Sequence, residues 1–133
     1  MRKEAVAKKS ILIVEDDAIF LSYLRAGLVG TGYRVLSAKD ENGALRLLDS
    51  AHPDLVVLSI LTPAGGRLEL LRRLRDVSRV PVIVTGPQAT GDEVAGVADD
   101  FIDKPFLPGD LRKRIKRLLT GWPFPFCAEA PAG

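Results

Sequence analysis

Residues 55–58 read Leu-Val-Val-Leu, an unbroken apolar run bounded by Pro53-Asp54 on one side and Ser59 on the other. The run is too short for a helix, and no position in it is polar, so neither of its faces suits water. The pattern fits a strand covered on both sides, as in the interior of a parallel sheet. Residues 11–14, Ile-Leu-Ile-Val, repeat it. Parallel neighbours cannot be joined by tight hairpins and need crossover connections, usually helices. Amphipathic helical segments are therefore expected between the runs.

The intervening chain has them. Asp17 is placed to cap a helix running through Phe20, Tyr23, Leu24 and Leu28 toward Gly32. Residues 34–38 read as a second strand, and Asp40 as the N-cap of a helix whose buried stripe is Ala44, Leu45 and Leu48, ending before Pro53. After a loop with Pro63, Gly65 and Gly66, the residues Leu68, Leu71 and Leu74 form the next helical face. Residues 80–84 give strand four, and Phe101-Ile102 a short fifth strand. Pro108, Gly109 and Asp110 open a last helix with Leu111, Ile115 and Leu118 on one side. Between strands four and five, Pro87, Gly91 and Gly96 weaken the helical pattern, which predicts a short or irregular fourth helix. Five such units predict an α/β, doubly wound parallel sheet in a domain spanning 10–119. A basic lead, 1–9, precedes it, and a tail rich in proline and aromatics, 120–133, follows it.

Composition narrows the function classes. A chain of 133 residues buries enough surface for one domain without disulfides or a structural metal. Its single cysteine, Cys127, excludes an intrachain disulfide and fits a reducing cytoplasm. The opening MRKEAVAKKS is neither a signal peptide nor a membrane span. A net charge of +2 is too mild to imply nucleic acid.

Several motifs then coincide: Glu15-Asp16-Asp17 after strand one, Pro-Asp-Leu-Val-Val-Leu before position 59, Pro63 in the next loop, Thr85-Gly86 after strand four, and Asp-Lys-Pro-Phe at 103–106. Together they make residues 10–119 resemble the response-regulator receiver domain of two-component signalling. The resemblance implies a flavodoxin-like five-stranded sheet in the order 2-1-3-4-5. It also implies an acidic pair, Glu15 and Asp16, that helps to bind Mg²⁺, and an aspartate at the end of strand three that takes a phosphoryl group from a histidine kinase. Thr85 matches the switch hydroxyl, Phe101 the switch aromatic, and Lys104 the lysine that ties the site together.

Position 59 departs from that pattern, because serine stands at the phosphoacceptor-equivalent position. A serine hydroxyl is neutral, poorly nucleophilic without an adjacent base, and a weak Mg²⁺ ligand. The only histidine, His52, lies at the far end of strand three, and Leu58-Ser59-Ile60 lacks the glycines of a nucleophile elbow. Thr62 and Gly66-Arg67 depart from the family's usual loop as well. The chain thus reads as an atypical pseudo-receiver: no enzyme, no required cofactor, Mg²⁺ binding weak or absent.

The remaining groups have plain readings. With a carboxylate gone, Glu15 and Asp16 are expected to be solvated strand-end acids with Lys104 as counter-ion. The Thr85 hydroxyl is expected to bond nearby backbone, and Phe101 to be core. Arg67 either replaces the missing metal charge beside Glu15 and Asp16 or points to water as the first residue of a helix. The cations Arg112, Lys113, Arg114, Lys116 and Arg117 form a solvated face or a docking surface. The sequence Trp122-Pro123-Phe124-Pro125-Phe126 either packs back on the domain or binds a partner. The expected role is protein contact in a phosphorelay, without a following effector domain, with a histidine kinase, a phosphotransfer protein or a downstream effector as partner; a homodimer stays open. Competing readings are a receiver phosphorylated on Asp16 or Asp17 and a nucleic-acid-binding module using the last helix.

Overall fold

The computed structural model describes residues 8–60, 67–87 and 90–120. Five parallel strands, β1 (Ser10–Val14), β2 (Arg34–Ala38), β3 (Leu55–Ser59), β4 (Val82–Gly86) and β5 (Asp100–Asp103), form one sheet in the order β2-β1-β3-β4-β5. Helices α1 (Ala18–Gly27), α2 (Glu41–Ala51), α3 (Arg67–Val77), α4 (Thr90–Val94) and α5 (Pro108–Leu119) make the crossovers. The apolar runs behave as their composition requires, since residues 11–14, 55–58 and 82–84 have no exposed surface at all. Alternate residues of each strand feed opposite cores. Leu12, Val14, Val56 and Leu58 pack with Ala44, Leu70, Leu71, Leu74 and Val94, whereas Ile11, Ile13, Leu55 and Val57 pack with Leu24, Leu28, Leu111 and Ile115. The sheet therefore separates α2, α3 and α4 from α1 and α5, and none of these helices is long and apolar enough to cross a membrane.

The helix starts follow the capping residues. The Asp17 side chain accepts from the amides of Ile19 and Phe20, and Asp40 accepts from Gly43. Both side chains satisfy donors that a first turn leaves orphaned. The ends were less predictable. Helix α1 stops at Gly27 rather than near Gly32, because Leu28, Val29 and Thr31 make tight i to i−3 bonds and Gly30 and Gly32 take positive φ values of 85° and 88°. Gly27 itself lies where α1 meets α5; a Cβ there would stand 2.8 Å from Cβ of Pro108. Strand β4 starts at Val82, two residues after the expected Val80, and the amide of Val80 turns to Ser78 Oγ at 3.0 Å. Strand β5 extends the expected Phe101-Ile102 by one residue at each end. The tail after residue 120 lies outside the described residues.

The fourth helix is five residues long, as the Pro and Gly content predicted. A short helix contributes little packing, and the link to β5 is held from α3 instead. Arg75 donates through Nε to the carbonyl of Val97 at 2.6 Å and through Nη1 to that of Val80 at 2.7 Å, and its Nη2 is ion-paired to Asp99. The same Asp99 carboxylate accepts the amide of Val82 at 2.7 Å. One guanidinium thus joins α3, the start of β4 and the connection into β5. Arg75→Met should lower stability by about 2 kcal/mol in urea denaturation, because it strands several acceptors together. Arg72→Met, which among the described residues removes an exposed 3.9 Å contact to Glu69, should cost about 0.5 kcal/mol or less. Equal losses in the two variants would show that the Arg75 clamp contributes nothing.

Candidate functional site

Parallel strands bring their carboxyl ends to one edge, and open α/β sheets place their sites there. Ser59 ends β3 and pairs in register with Thr85 on β4, Glu15 follows β1, and Lys104 follows β5 with its amide bonded to the carbonyl of Gly86 at 2.9 Å. Ser59, Thr85 and Glu15 are buried, at 2%, 0% and 1% exposure. Asp16 is exposed.

The centre of the site is Lys104. Its Nζ donates to Ser59 Oγ at 3.0 Å and lies 3.9 Å from the centroid of the Phe20 ring. Phe20 stacks on Tyr23 with centroids 5.7 Å apart and meets Phe106 edge-on at 6.0 Å. The Tyr23 hydroxyl donates to the carbonyl of Phe106 at 2.5 Å, closing the aromatic group. Burial pushes the Lys104 pKa below its ordinary value, while the charges of Glu15, Asp17 and Asp16 pull it back upward. The carboxylates act at a distance, because Lys104 makes no ion pair among the described residues.

The acids differ from one another. Glu15 Oε2 accepts the amide of Asp17 at 2.9 Å, whereas Asp17 Oδ1 is used as the cap of α1. Glu15 is therefore a buried, partly satisfied carboxylate, which corrects its expectation as a solvated strand-end acid. Its Oε1 and the Thr85 Oγ1 are buried without a hydrogen-bond partner among the described residues. That also corrects the expectation for Thr85, whose hydroxyl does not bond nearby backbone within that set. Lys104 is likewise no counter-ion in direct contact with Glu15 or Asp16; a serine hydroxyl holds it. Among the described residues no three His, Cys, Asp or Glu side chains form a group able to hold a metal ion.

The other candidates fall away from this centre. Phe101 is half-buried against the core cluster on the α2, α3 and α4 side, as expected of core. Arg67 begins α3, and its side chain lies outside the described residues. Two of the five α5 cations serve the fold: Arg112 donates to the carbonyl of Gly27 at 2.8 Å, and Arg114 pairs with Asp100 at 2.7 Å. Lys113, Lys116 and Arg117 remain exposed. Phe20 was not visible as a site residue from sequence. Its only signal is its place in the first turn after Asp17, at the edge where Lys104 also emerges.

Next to the aromatic group, Asp17, Ile19, Phe20, Tyr23, Pro105 and Phe106 line a shallow apolar groove. Ile19 is 83% exposed at its rim.

A sheet in this order with a lysine, a threonine and an acidic pair at its carboxyl edge defines a signalling receiver. Residues 11–116 match the response regulator receiver domain, so the chain belongs to that family, a component of two-component signalling. It is 37% identical to the KDP operon transcriptional regulatory protein KdpE of Escherichia coli (strain K12) over 80% of this chain and 49% of that protein. It is 39% identical to the response regulator MprA of Mycolicibacterium vanbaalenii over 82% of this chain and 49% of that one. The chain thus spans about half the length of the curated relatives it matches. Among solved structures it resembles the signal receiver domain of a signal transduction histidine kinase from Syntrophus aciditrophicus, with a TM-score of 0.75 and 31% identity over 88% of this chain and 94% of that one.

Two outcomes follow from the geometry. Thr85→Val removes a buried hydroxyl without a partner among the described residues, so it should leave stability unchanged or raise it by about 1 kcal/mol in urea denaturation. A loss of about 2 kcal/mol would reveal a bond that this hydroxyl makes. For Lys104, the lowered folded pKa means that, in the alkaline range below 10.5, the unfolded chain holds more of this proton than the folded chain. Its contribution to stability therefore rises with pH there. Lys104→Met should flatten that rise in urea titrations across the same range, and an unchanged slope would contradict the assignment.

Proposed function

We propose that this chain is an atypical receiver that signals by protein contact and carries no aspartyl phosphate. The observation that supports the reading most is the Lys104 to Ser59 bond of 3.0 Å. At the position where the family's phosphoacceptor aspartate falls, a neutral hydroxyl already accepts from the ammonium. A hydroxyl needs a base to attack phosphorus, and a charged lysine is a donor rather than a base. The donor set for a cation is Glu15, Asp16 and a serine oxygen that faces an ammonium. Mg²⁺ gives up its water reluctantly and favours several hard oxygens, so this set fits only weak binding. The protein is read as a binding module and not an enzyme, working in the cytoplasm.

The expected partner is a histidine kinase, a phosphotransfer protein or a downstream effector. The apolar groove beside Ile19 and Tyr23 is where such a protein would gain most from burial, since aromatic anchors carry much of the energy of an interface. The small net charge of +2 gives nucleic acid little support as the partner.

Incubation with acetyl phosphate and Mg²⁺, followed by intact mass measurement, should show no adduct. A hydroxylamine-labile gain of one phosphoryl group would overturn the proposal in favour of a receiver phosphorylated on Asp16 or Asp17. Ser59→Asp should supply the absent acid beside a buried Glu15, which is unfavourable without a cation and tolerable with one. Its melting temperature should rise with millimolar Mg²⁺ while that of the wild type stays level. Identical Mg²⁺ responses would show that residue 59 and the acidic pair do not share a site.

A further inference from the structure

Lys104 presents an unusual charge arrangement. Its amine is half-buried, its hydrogen-bond partner is a neutral hydroxyl at 3.0 Å, and it makes no ion pair among the described residues. A cation taken partly out of water needs compensation at short range. The carboxylates of Glu15, Asp16 and Asp17 act on it only through space. Besides the Ser59 oxygen, the electron-rich surface in contact among the described residues is the face of Phe20, 3.9 Å from Nζ.

We propose that Phe20 is the positioning residue of this site: its ring face holds the Lys104 ammonium on Ser59 and takes the place of the carboxylate that position 59 lacks. The negative face of an aromatic ring attracts an ammonium within about 6 Å, more strongly as the pair is desolvated. The ring is also well held, between Tyr23 at 20° to its plane and Phe106 at 81°. Without that platform the strongest pull on the amine comes from Glu15, with Asp17 and then Asp16 behind it. The aromatic platform therefore decides where the lysine points. The second half of the inference rests on the proposed reading of Ser59 as the family's acidic position carrying a neutral residue. Because Phe20 also lines the groove with Ile19, Tyr23 and Phe106, a partner seated there would press on the support of the lysine itself.

The test replaces Phe20 alone with mono-, di- and trifluorinated phenylalanine, which drains the ring face of charge with little change of shape. Thermal unfolding is then measured in three backgrounds: the wild type, Lys104→Met and Ser59→Asp. In the wild type the melting temperature should fall stepwise, by about 2 to 6 °C across the series. The ε-methylene carbon and proton signals of Lys104, followed by NMR on ¹³C-lysine protein, should shift in step with it. In Lys104→Met the fall should vanish, and in Ser59→Asp it should shrink to less than half, because the aspartate then supplies the charge. An equal fall with and without Lys104 would overturn the role of Phe20. A lysine-dependent fall of undiminished size in Ser59→Asp would overturn its role as a substitute for the carboxylate. Both results are separate from the phosphodonor experiment, whose outcome does not depend on the ring.

Discussion

Burial of the three central strands on both faces is the constraint on which this molecule depends. Residues 11–14, 55–58 and 82–84 are wholly inaccessible and apolar, so the buried polar side chains of these strands sit at or next to their ends. Ser59, Thr85 and Glu15 occupy those ends at the carboxyl edge and inherit the burial of the strands beneath them. That placement gives a serine or a threonine hydroxyl a consequence it would not have on a surface. A buried polar atom without a partner costs on the order of 1–3 kcal/mol, whereas an exposed one costs almost nothing.

The same burial makes charge at this edge consequential. In water an ion pair at contact distance is worth about 1 kcal/mol, and the effective interaction is several-fold larger near a protein surface. Lys104 stands in that intermediate regime, with three acids near enough to raise its proton affinity and burial strong enough to lower it on balance. A carboxylate at position 59 would settle the competition in favour of the ion pair. Serine leaves it to weaker contributors, a neutral hydrogen bond and an aromatic face, and the side chain arrangement shows both in place.

Local chemistry was legible in the sequence where it is decided locally. Asp17 and Asp40 cap the helices they were expected to cap, since an N-cap bond is made within three residues. The two-sided strands could be read from composition alone, and the short fourth helix from Pro87, Gly91 and Gly96. What escaped reading is what depends on distant parts of the chain. Helix α1 ends early at a glycine pressed against Pro108 from α5, and β4 starts late where Arg75 and Asp99 hold the chain. The site follows the same division. Motif positions located Glu15, Ser59, Thr85 and Lys104, but the burial of Glu15, the burial of the Thr85 hydroxyl without a partner among the described residues and the ring beneath Lys104 are tertiary facts without a sequence period.

The β4–β5 pair shows how firmly the frame around the site is set. At its amino end Asp99 bonds the amide of Val82 and pairs with Arg75; at its carboxyl end the Lys104 amide bonds the carbonyl of Gly86. Between these points the two strands stay in register through Val84 with Phe101 and Thr85 with Ile102. Backbone fixed at both ends resists sliding, because any shift breaks buried hydrogen bonds that have no water to replace them. The freedom left at this edge belongs to side chains. Lys104 has four rotatable methylenes and no ion pair among the described residues to hold it, and Phe20 lies between it and the apolar groove. Residue 59 carries no charge, so Lys104 rests on a neutral hydrogen bond and an aromatic face, above a pair of strands whose register is fixed at both ends.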